Sequence, residues 1–178
     1  LHEGSHVLLS DFGFLRNLGD NIPQELYLLG NKIGIDNDTV KMNLKNMLNY
    51  VEDRRIDYYV FSTSPGYKGY YHKMYDKYFH STSIDRALKN NVLGNDKTWE
   101  NYEARIINLT NKNSDLDALP KLREIKNRVF KNVKKLKNTE EAFEIALTIV
   151  YDVYNELEIA DFYGDNKADR LPVTGTAI

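Results

Sequence analysis

An all-α fold is what three features of this 178-residue chain predict. Apolar residues recur at spacings of three and four, the period of a helix with one buried face. No stretch of four to eight residues alternates apolar and polar as a half-buried strand would. Prolines and side chains suited to N-caps fall at the starts of the periodic segments.

The first helix carries His2, Glu3 and His6, with Gly4 in its middle at a cost of about 1 kcal/mol relative to Ala. Pro23 opens a short apolar segment with Leu26, Leu28 and Leu29 that ends between Gly30 and Gly34. Asn37, Asp38 and Thr39 offer N-caps for a long helix, whose buried stripe is Val40, Leu44, Met47, Leu48, Val51 and Tyr58. Ser64-Pro65-Gly66 breaks it. An aromatic helix is expected from about Tyr67 to Phe79, a shorter one from Ile84 to Leu88, and another around Trp99, Tyr102 and Ile106. Pro120 is expected in the first turn of a basic amphipathic helix running through Leu122, Ile125, Val129, Val133 and Leu136. Asn138 caps the last helix with Glu141 as its capping-box partner, and Phe143, Ala146, Ile149, Val150 and Val153 supply core. From Gly164 the periodicity stops, so the expected organisation is a metal-binding helical region over 1–80, a helical extension over 81–163 and a linker or tail over 164–178.

Composition narrows the function. Hydrophobic residues make up 42% and charged residues 28%, ordinary for a globular protein. A net charge of −2 gives no electrostatic reason to expect nucleic acid or an anionic membrane surface. The chain has no cysteine, so a metal must be held by histidine and carboxylate. No apolar run is long enough to span a bilayer, and a cytoplasmic or virion-associated location is expected. The chain starts at Leu1 and not at Met, which suggests a piece of a longer or processed polypeptide.

The chemistry lies in His2-Glu3-Gly4-Ser5-His6, an H-E-x-x-H motif. Residues i and i+4 of a helix share a face, so both imidazoles can reach one ion while Glu3 stands beside it. Two nitrogen ligands and a neighbouring carboxylate suit Zn²⁺ and a base that takes a proton from water. A third ligand is sought in Glu52-Asp53-Arg54-Arg55-Ile56-Asp57 on the long helix. Glu52 is preferred for its longer reach. Asp53 is the alternative, and it has the better second residue: four positions on lies Asp57, an acid able to orient a ligand histidine, whereas Glu52 plus four is Ile56. The competing reading of this segment is a ladder of i,i+4 ion pairs on a solvated face.

These residues carry a resemblance. The stretch from His2-Glu3-Gly4-Ser5-His6 through Leu48-Asn49-Tyr50-Val51-Glu52-Asp53-Arg54-Arg55-Ile56-Asp57 to Pro65-Gly66-Tyr67 resembles the zincin-like metallopeptidase region of certain bacterial and phage proteins. There H-E-x-x-H precedes a helix reading roughly L-N-x-x-E-D-x-R-I-[ED], often upstream of a von Willebrand factor A domain of the cobaltochelatase-subunit type. The resemblance spans about residues 1–80. It implies a gluzincin-like site with His2, His6 and Glu52 as zinc ligands, Glu3 as catalytic base, a protein or peptide substrate, and an A domain or ATPase as partner. The D-x-S-x-S motif of an A domain does not occur in this chain, and the strand that would hold an extended substrate is not expected within this stretch.

Donors for a developing oxyanion are sought among Tyr58, Tyr59, Tyr67, Tyr70, Tyr71 and His72, although tyrosines at helical spacing usually pack. His72 and His80 are expected at the surface. Asp11-Phe12-Gly13 spells D-F-G without the other kinase elements and is set aside. Asn108-Leu109-Thr110 is a sequon that matters only in a secreted protein. The basic helix from Lys121 to Lys137 is expected to be solvated. Leu171-Pro172-Val173-Thr174-Gly175 resembles a wall-sorting signal but lacks the apolar span that should follow it. The function expected is zinc-dependent peptide hydrolysis; the alternative is a non-catalytic helical module, such as a virion component or an ATPase adaptor.

Overall fold

A computed structural model describes residues 2–78, 82–89 and 94–168. The fold is all-α, with no strand among the described residues. The helices are α1 (His2–Leu9), α2 (Phe12–Arg16), α3 (Gln24–Lys32), α4 (Asn37–Thr63), α5 (Lys68–Tyr78), α6 (Thr82–Lys89), α7 (Trp99–Ile107), α8 (Leu122–Asn132) and α9 (Thr139–Ala168).

Two long helices make the spine, because each carries an unbroken apolar stripe that only the other is long enough to cover. Val40, Leu44, Met47, Leu48 and Val51 of α4 share one core with Ala142, Ala146, Ile149, Val150 and Val153 of α9. Helices α3 and α7 close its sides. Gly30 lets α3 approach closely: a Cβ there would lie 2.5 Å from Val40 Cγ2 and 3.3 Å from the Tyr154 ring. Trp99 meets Tyr154 edge-to-face at 5.6 Å, and the Tyr154 hydroxyl accepts from Asn43 Nδ2 at 2.8 Å, so this buried polar group is satisfied.

Several boundaries differ from the sequence expectation. The cap of α4 is Asp36, one residue before the three anticipated, because its carboxylate accepts from Thr39 N at 2.8 Å. Helix α8 starts at Leu122 after Lys121 in the left-handed region (φ 72°), leaving Pro120 outside it, and ends at Asn132. Asn138 caps α9 as expected, accepting from Glu141 N at 2.9 Å; the Glu141 carboxylate reaches the Lys137 N–H at 2.7 Å. Helix α9 runs to Ala168, past the point where periodicity fades. Phe79, His80 and the Leu171–Gly175 pentapeptide lie outside the described residues.

The basic stretch finds acids within the chain: Arg128 pairs with Asp152 at 2.6 Å and Arg123 with Asp117 at 2.7 Å. Among the described residues, no helix is long and apolar enough to cross a membrane. A second, smaller core of Ile56, Val60 and Tyr71, with Leu9, Phe61 and Met74 against it, lies where the C-terminal half of α4 meets α1 and α5.

Candidate metal centre

Helix α1 lies across the second half of α4. Its inward positions are His2, Ser5, His6 and Leu9, the i, i+3, i+4, i+7 set of a single face. The C-terminal end of α1 is tied down by Arg55, whose Nη2 donates to the Leu9 carbonyl at 2.8 Å.

This docking brings His2 Nε2, His6 Nε2 and Asp53 Oδ1 to one point. The edges of the triangle are 3.1 Å between the two nitrogens, 3.0 Å from His6 to Asp53 and 3.5 Å from His2 to Asp53. A tetrahedral ion with bonds of about 2.0–2.2 Å needs donor separations of about 3.3–3.6 Å, so it would sit roughly 1 Å off this plane with a fourth position open. The three residues form a metal-competent group by their mutual distances.

The tautomers agree with that geometry. His2 Nδ1 lies 2.9 Å from Asp57 Oδ1, and His6 Nδ1 lies 2.9 Å from Ser10 Oγ. Asp57 accepts only, and Ser10 directs its single proton to Glu52 Oε1 at 2.8 Å. With a cation at the shared point, both imidazoles therefore carry their protons on Nδ1. Both Nε2 lone pairs face the shared point, an arrangement that needs a cation or a proton between them. In the absence of a metal His2 holds that proton: hydrogen bonds to Asp53 and then Asp57 raise its pKa from 6.5 to about 9, against the opposing pull of burial.

The structure does not bring Glu52 to the histidines. Its carboxylate is gripped by Arg55 through Nε at 2.8 Å and Nη2 at 2.6 Å, and Ser10 and Thr139 donate to Oε1 at 2.8 and 2.9 Å. Burial alone would raise its pKa, but Arg55, Ser10 and Thr139 together hold it below the usual glutamate value. Successive helical residues differ by about 100° in direction, which turns Glu52 toward the start of α9 and Asp53 toward α1. Asp57 is 5% exposed at its side chain and held between His2 and Arg54, the latter at 3.0 Å.

Glu3 is exposed and lines a cavity of about 630 Å³ that also holds His2, His6 and Asp53, together with Val7, Phe12, Leu15, Asn49 and Met74. Of the six proposed oxyanion donors, Tyr71 alone is buried: its ring meets His2 edge-on at 6.0 Å, and burial followed by the charges of Asp57 and Glu3 raises its pKa. Tyr58, Tyr59, Tyr67 and Tyr70 are exposed, and His72 stacks on Phe61 at 6.1 Å. Asp11 of the D-F-G triplet caps α2, accepting from Phe14 N at 2.9 Å.

Sequence reasoning missed Ser10. The signal available was its spacing: Ser10 is four residues beyond His6, on the same face of the same turn. No family model, curated protein or solved structure matches the chain.

Proposed function

We propose that this chain carries the metal centre of a zinc-dependent peptide hydrolase, with His2, His6 and Asp53 as the protein ligands. The observation that carries the reading is the convergence of two Nε2 lone pairs and a carboxylate oxygen, with each imidazole already held through its other nitrogen. Zn²⁺ bound there supplies Lewis acidity, which lowers the pKa of a water and polarises a peptide carbonyl.

Glu3, next to the first ligand and lining the cavity, accepts a proton from the attacking water and delivers it to the departing amine. Asp57 keeps His2 in the tautomer that offers Nε2. Asp53, with its side chain 43% exposed, leaves the solvent side of the centre open to substrate. The apolar part of the cavity, formed by Val7, Phe12, Leu15 and Met74, favours peptides with an apolar side chain beside the scissile bond.

Elemental analysis of the purified protein, alongside His6→Ala and Asp53→Ala, tests the reading. The expected result is about one zinc per chain, lost in both variants. Zinc bound without hydrolysis of apolar peptides would favour a metal-stabilised helical module. No zinc in the wild type would remove the hydrolase reading.

A further inference from the structure

We propose that Ser10 and Glu52 act as a positioning relay for His6, holding it in the tautomer that turns its Nε2 toward Asp53 and His2. The inference rests on the metal-centre reading and assigns roles to two residues that make no contact with the ion's position. The direction of the hydrogen bonds carries it. Glu52 Oε1 only accepts, so the Ser10 hydroxyl must give it its one proton. The lone pair left on Ser10 Oγ can then only accept, and the group facing it at 2.9 Å is His6 Nδ1. With an ion at the point shared with Asp53 Oδ1, 3.0 Å from Nε2, His6 carries its one proton on Nδ1, where Ser10 Oγ accepts it, and Nε2 is left as the donor atom toward the metal. Were Glu52 absent, the Ser10 hydroxyl could turn and donate to Nδ1, and the opposite tautomer would become available.

The two histidines are thus oriented by carboxylates in different ways. Asp57 acts on His2 directly, and Glu52 acts on His6 through a hydroxyl. Glu52 itself is kept in place by Arg55 and Thr139, and Thr139 Oγ1 also accepts from the backbone of Asp11 at 2.8 Å. The junction of α1, α4 and α9 therefore ends at a metal ligand. A carboxylate that merely joined three helices would not need the serine.

Ser10→Ala separates the two roles, because Glu52 keeps Arg55 and Thr139 while His6 loses its acceptor. The expected result is a zinc affinity reduced about 10- to 100-fold in competition with a chromophoric chelator, at a melting temperature close to that of the wild type. Ser10→Thr, which retains the hydroxyl, should recover most of the loss. Wild-type zinc affinity in Ser10→Ala would overturn the relay, as would a Ser10→Thr variant as weak as Ser10→Ala. Absence of zinc from the wild type would overturn the hydrolase reading. The relay, which orients a ligand of that centre, would fall with it.

Discussion

Asp57 accepts from His2 Nδ1 at 2.9 Å while its other oxygen holds Arg54 at 3.0 Å, so one buried carboxylate joins the imidazole that faces His6 and Asp53 to a cation on its own helix. Asp57→Asn retains the shape but replaces an obligate acceptor with a group that can also donate. Zinc affinity should fall about 10- to 100-fold. Chelator competition measures this, and an unchanged affinity would show that packing alone orients His2.

Asp53 and Glu52 are adjacent, and their substitutions should separate cleanly. Asp53→Asn should abolish stoichiometric zinc and cost the metal-free protein only the part of the His2 interaction that this carboxylate, 43% exposed at its side chain, supplies. Glu52→Gln strands Arg55, itself only 6% exposed at its side chain, and breaking such a buried pair costs on the order of 3–5 kcal/mol. Urea unfolding of the two metal-free variants would show the contrast. Equal destabilisation would contradict it.

The pH dependence follows from His2. Its folded-state pKa, about 9, lies above the ordinary 6.5, so the protonated imidazole is stabilised by folding. The metal-free protein should hold this contribution in full below about pH 6.5 and lose it as the pH rises toward 9. Zinc must displace the same proton. Calorimetric titration near pH 7.5 in buffers of different ionisation enthalpy should therefore report close to one proton released per ion. Zero release would show that His2 is already neutral.

Two glycines should respond in opposite directions. Space is open around Gly4, so Gly4→Ala should stabilise α1 by about 0.5–1 kcal/mol. Gly30→Ala pushes a methyl group into Val40, and overpacking of this kind costs about 1–3 kcal/mol. Thermal unfolding of both variants checks the signs.

Much of this molecule is local in origin. The helical periods of Val40–Val51 and Phe143–Val153, the breaks at Ser64-Pro65-Gly66, the Asn138 cap and the pairing of His2 with His6 each depend on residues a few positions apart. Those features were legible in the sequence alone for that reason. Even the alternative ligand had a local mark, the i,i+4 pair Asp53 and Asp57.

Tertiary packing decided which carboxylate meets the histidines. Glu52 and Asp53 are equivalent candidates in a linear reading, where side-chain length favours Glu52. The angle at which α1 lies on α4, and the arrival of Thr139 at the start of α9, turn Glu52 into a buried partner of Arg55 and leave Asp53 toward α1. A one-residue step on a helix is a rotation of about 100°, so the choice belongs to the docking of helices far apart in sequence. Thr139 is 87 residues from Glu52, and no local pattern could have placed them together.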